Sequence, residues 1–123
     1  MQVSKQDLNP KVADDLFKSL CHLMSEIGSD EDAELILTEL LSETERIAVM
    51  KRLGIAYFLT QGWSYDKIKQ TLKVSSATIA TVQERMGKPG LKLAMETVKV
   101  QVKAKEWSDK IKSLLKRFQV GQK

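Results

Sequence analysis

The stretch from Trp63 to Met86, WSYDKIKQTLKVSSATIATVQERM, constrains the fold more than any other. Ile68 and Leu72 stand four apart, and Val74, Ile79, Val82 and Met86 continue an apolar face at helical spacing. Ser64 offers an N-cap for a first helix, and Ser75 or Ser76 for a second. No Gly or Pro separates the two, so they must cross within a connection of about three or four residues. Such a helix-turn-helix can present its second helix to a DNA major groove. Ser76, Ala77, Ala80 and Thr81, near the start of that helix, are small or hydroxylated and permit close approach to base edges. The same pattern describes an ordinary packed helix pair, so DNA binding needs support from other features.

Charge supplies some. The net charge of +4 hides an asymmetry. Residues 1–62 carry 6 Lys and Arg against 11 Asp and Glu, whereas residues 63–123 carry 14 against 5. The basic half is the half that holds the helix pair, where positive charge would attract phosphate. Scattered lysines on a solvated helix surface are the plainer reading of the same charges. Lys67, Lys73 and Arg85 are the phosphate-contact candidates that charge alone selects.

With 42% hydrophobic and 29% charged residues the chain is globular, and its 123 residues suit one domain with a moderate core. No apolar run approaches the ~20 residues of a membrane span, and no signal-peptide pattern opens the chain. No membrane partner is therefore expected. Cys21 is the only cysteine and sits beside Leu20 and Leu23, as a small buried hydrophobe would. A reducing, cytoplasmic location follows.

Around the helix pair the chain reads as further helices. Residues 1–9 are polar and expected to fray. Asn9-Pro10 opens a helix whose apolar positions run from Val12 through Ile27 to a stop at Gly28. Ser29 or Asp30 caps the next, with an acidic first turn that suits the helix dipole. Ser42 and Glu45 form a capping box for the longest apolar helix, which ends at Gly62. That helix is apolar on nearly all sides, so it is either the axis of one chain or partly covered by a second; a homodimer is favoured. After the break at GKPG (87–90), helical spacing resumes in a basic extension over residues 91–123. Val98 to Val102 also alternates like a strand, and Ser108 is expected to cap a separate last helix carrying Ile111, Leu114, Leu115 and Phe118.

Catalytic signatures are missing. His22 is the only histidine, no metal-ligand spacing occurs, and no Gly-rich phosphate loop follows a strand. Asp14-Asp15 reads as a solvated helix face. The expectation is a protein that is not an enzyme and has no required metal or cofactor.

Residues 41–86 resemble the Trp repressor family, especially the Trp-repressor-like proteins of the YerC/YecD kind. The resemblance rests on Leu41-Ser42, Glu45-Arg46, Arg52, Gly62, Ser64, Leu72 and the tripeptide Ala77-Thr78-Ile79, and extends over residues 10 to about 100. It implies an all-α, intertwined homodimer offering two recognition helices to a near-palindromic operator on double-stranded DNA. Lys69, Ser76, Ala77 and Ala80 would match family positions facing DNA, with Tyr65 and Asp66 at the edge. Thr81 completes the candidate DNA-binding set. The resemblance also implies an effector pocket, with Arg52 matching the long-helix arginine and Ser42 near the matching threonine. Thr81 stands where the family has its second arginine, and Val82 where it has a glycine. Those departures remove a stacking surface and narrow the pocket, so a small-molecule corepressor is allowed but L-tryptophan is disfavoured. Arg52 could equally serve an ion pair or a dimer interface.

The expectation is a single all-helical DNA-binding domain over residues 1–123, helix-turn-helix at 63–86, acting as a sequence-specific transcription regulator, with repression the expected direction. A helical protein-interaction module that does not bind DNA is the alternative.

Overall fold

The computed structural model describes residues 8–121, with side chains to residue 117. Residues 1–7, expected to fray, and the side chain of Phe118 lie outside the described set. Six helices follow one another: α1 (Pro10–Glu26), α2 (Asp30–Leu40), α3 (Glu43–Thr60), α4 (Tyr65–Leu72), α5 (Ser76–Glu84) and α6 (Pro89–Gly121). No strand occurs among the described residues, so the fold is all-α. The chain groups into two compact units, Met1–Arg46 and Ile47–Lys123.

In the first unit the caps form where the sequence places them. The Asn9 side chain accepts from the Lys11 backbone N–H at 2.8 Å, with Pro10 in the first turn. Helix α1 stops at Glu26, earlier than Gly28, because Ile27 turns extended. Ser29 Oγ accepts from the Asp32 N–H at 3.1 Å, ahead of the acidic turn Asp30, Glu31, Asp32. Ser42 and Glu45 make both bonds of a capping box, Ser42 N–H to Glu45 Oε1 at 2.8 Å and Glu45 N–H to Ser42 Oγ at 3.2 Å. Neither α1 nor α2 buries a residue, and Phe17 and Met24 are about two-thirds exposed. Cys21 is exposed too, against the expectation of burial. Its apolar neighbours share its helix, and they too are exposed.

The second unit holds the core: Ile55 and Ala56 of α3, Ile68 of α4, Ile79 and Val82 of α5, and Met95 of α6. Gly54 lets α4 approach α3 closely, since a Cβ there would meet Leu72 Cδ1 at 3.1 Å. Helix α3 ends where Gly62 takes φ +81° and the Trp63 N–H reaches back to the Phe58 carbonyl at 3.0 Å. Trp63 then stacks on Phe58, ring centroids 3.9 Å apart. On α3, Val49 and Met50 remain at least half exposed, so its breadth of apolar surface exceeds what one chain covers.

Helix α6 departs from expectation. It runs 33 residues without interruption, so Val98–Val102 is helical and Ser108 lies in mid-helix instead of capping a new one. No Gly or Pro falls between Leu91 and Val120 to stop it, and Lys, Glu and Ala carry it past the valines. Its first half packs on the core through Leu91, Ala94, Met95 and Val98, whereas Lys103 to Arg117 are exposed throughout.

Candidate nucleic-acid interface

Helices α4 and α5 form a capped, internally fastened pair. Ser64 Oγ accepts from the Lys67 N–H at 3.2 Å to start α4. Ser75, and not Ser76, starts α5, its Oγ accepting from the Thr78 N–H at 3.1 Å. Between them Lys73 occupies the left-handed region, φ 56° and ψ 55°, the conformation for which glycine is usual. Its N–H bonds to the Lys69 carbonyl at 2.9 Å, and its own carbonyl accepts from Lys51 Nζ of α3 at 3.2 Å. Sequence reasoning took Lys73 as a phosphate-contact candidate and missed this contact, which no local spacing signals. It also missed Gln83, whose Oε1 accepts from the Tyr65 hydroxyl and fastens α5 to the start of α4.

Burial sorts α5 into sides. Ile79 and Val82 point into the core. Ser76 and Ala77 are exposed and Ala80 is half-buried, so the first turn and a half offers a surface without bulk. On α4 and the turn after it, Lys67 and Lys73 are exposed and Lys69 and Tyr65 half-buried. The Lys67 ammonium sits over the Trp63 ring, 3.9 Å from its centroid, which gives it a partner on its own chain.

Thr81 and Arg85 turn to another side. With Arg52, Val49 and Leu53 of α3, Val82, and Leu91 of α6, they line a cavity of about 550 Å³. Arg52 and Thr81 thus line one cavity, and Arg85, which charge had selected as a phosphate contact, lines it with them. The signal was the spacing: Arg85 lies four residues after Thr81, on the same helix face. Ser42 belongs to the other unit, and its hydroxyl is engaged in the capping box. Two guanidinium groups among aliphatic walls suit a small anion with an apolar body. Among the described residues no group of His, Cys, Asp and Glu could hold a metal ion.

An all-helical chain with a helix-turn-helix packed on a long apolar helix defines a class of DNA-binding architecture. The family described as Trp repressor protein matches residues 15–99, and the chain belongs to that family. The match covers well over half of the chain and ends within α6; it does not sort the chain into the YerC/YecD kind. Comparison with curated proteins and with solved structures found no match to either. The family is one of DNA-binding transcription regulators without enzymatic activity. No helix among the described residues is long and apolar enough to cross a membrane.

Proposed function

We propose that the protein is a sequence-specific, DNA-binding transcription regulator that acts as a repressor. As a homodimer it sets two copies of α5 into successive major grooves of a near-palindromic operator. The whole chain then works as one all-helical DNA-binding domain in the cytoplasm. The observation that carries this reading is the outward surface of α5, where Ser76, Ala77 and Ala80 lie free of bulk while Ile79 and Val82 anchor the helix from behind. Close approach by small residues is what base-edge contact requires. Tyr65, Lys67, Lys69 and Lys73 would supply the salt-sensitive attraction to phosphate.

The cavity between α3 and α5 serves as the effector site in this reading. Arg52 and Arg85 would grip an acidic group and Thr81 would border it. Val82 forms part of the wall and keeps L-tryptophan disfavoured as the corepressor.

A gel shift on random duplex DNA across a salt series tests the reading. Retardation at low salt that weakens steeply with added salt supports it. No retardation at low salt would leave a helical protein-interaction module in its place.

A further inference from the structure

The family match stops at residue 99, yet α6 continues to Gly121. At about 1.5 Å per residue the whole helix is on the order of 50 Å long. In its second half every residue from Lys103 to Arg117 is exposed. A solitary helical stretch of that length is marginal in water, so a partner is needed to hold it.

The sequence of α6 carries a seam that runs from the first half into the second. Leu93, Val100, Trp107 and Leu114 recur at intervals of seven residues, and every one is about half exposed or more. Thr97, Ala104 and Ile111 recur at the same interval, four residues after the first set. Together they make a seven-residue repeat on the side of α6 opposite Leu91, Met95 and Val98, which face the core. A repeat of seven, sustained over three turns of the pattern, specifies a left-handed coiled coil.

We propose that the C-terminal half of α6 pairs in parallel with the same segment of a second copy of this chain. Charge selects that occupant. Lys103, Lys110 and Arg117 flank one edge of the seam, while Gln101, Ser108 and Leu115 flank the other. In a parallel pair each charged edge meets a neutral one, so no like charges face each other. An antiparallel pair would set the two basic edges together. Leu93, Val100, Trp107, Ile111 and Leu114 are 48–69% exposed, so a second copy would cover five large apolar side chains on each helix. The pairing is independent of DNA contact. It would strap the protomers together at a point outside the region that the family shares.

Disulfide trapping of the full chain without DNA tests this. In a Cys21→Ser background, Ala104→Cys and Ile111→Cys lie on the seam, and Ser113→Cys lies outside it, well around the helix. The expected result is that both seam variants oxidise to a covalent dimer and Ser113→Cys does not. Two positions seven residues apart can each meet their own counterpart only in a parallel, in-register pair. Failure of both seam variants to cross-link, or equal cross-linking of all three, overturns the proposal. So does a monomeric mass in sedimentation of the unmodified chain. A gel shift on the same samples reads DNA binding separately, so either conclusion can fail alone.

Discussion

Lys51 and Lys73, 22 residues apart, meet at the bend of the helix pair, where the Lys51 ammonium donates to the Lys73 carbonyl oxygen at 3.2 Å. That contact places a cation at the C-terminal end of α4, where the helix dipole favours it. It also fastens α3 to the residue that fixes the angle between α4 and α5. The pair is thus held by its own caps, by its core and by one ammonium from the long helix.

The left-handed backbone of Lys73 gives the first prediction. A non-glycine residue in that region costs about 1–2 kcal/mol, and glycine relieves it while adding freedom to the unfolded chain. Lys73→Gly should therefore stabilise the fold by up to about 1 kcal/mol, read as a higher denaturant midpoint. It should weaken binding to any duplex, because a charge proposed to meet phosphate is gone. Lower stability in the variant would show that the bend stores no strain.

Two substitutions on the DNA-facing surface should separate sequence choice from general affinity. Ser76→Glu puts a carboxylate in the first turn of α5, a position the helix dipole favours, so the melting temperature should hold or rise. Operator affinity should fall at least tenfold, since a base-edge contact is worth about 1–3 kcal/mol. Lys69→Gln should weaken operator and random DNA alike and reduce the salt slope by about one. Equal operator affinity in Ser76→Glu would remove that turn from the interface.

Much of this was legible in the chain because caps and periodicity are local. Ser64, Ser75 and the Ser42–Glu45 pair announce their helices through a hydroxyl, or a hydroxyl and a carboxylate, placed next to free N–H groups. Ser108 has the same look yet caps nothing, because a cap needs a preceding break and α6 has none. Cys21 was misjudged for a different reason. A stripe of apolar residues marks a side of a helix but does not supply the layer that covers it. Within the cavity between α3 and α5, Arg52 was readable from the family pattern. Arg85 was obscured by its charge, which suggests phosphate until the fold sets it in the lining of the same cavity as Arg52.

The capping box at the start of α3 predicts a pH response. The Ser42 backbone N–H first, and its side chain second, hold the Glu45 carboxyl below its ordinary value. A depressed carboxyl stabilises the fold above its unfolded-state pKa and loses that contribution as pH falls through its folded-state value. Stability measured by thermal melts should therefore decline on acidification below the usual carboxylate range. In Glu45→Gln that part of the decline should be absent, since the amide keeps a bond to the Ser42 N–H without titrating. An unchanged acid limb in the variant would assign the decline to other carboxylates.

The cavity between α3 and α5 yields the last prediction. Arg52 and Arg85 reach it from different helices, and Val49, Leu53 and Leu91 supply the apolar wall. Neither guanidinium forms an ion pair with a carboxylate among the described residues, so both are available to an anion. Small carboxylic acids with an aliphatic or aromatic body should raise the melting temperature, and the matching amides should not. Each of Arg52→Ala and Arg85→Ala should abolish most of that shift, as a charge-assisted bond is worth about 1.5–3 kcal/mol. Ser42→Ala should leave it in place, because the Ser42 hydroxyl is spent on the α3 cap. A shift that survives loss of both arginines would mean that the acid binds elsewhere. Because α5 lines the cavity and is also the helix proposed to face DNA, an acid bound there would alter how firmly α5 is held. Operator affinity measured with and without the acid then reads the coupling directly, and equal affinities would mean that cavity and DNA surface work independently.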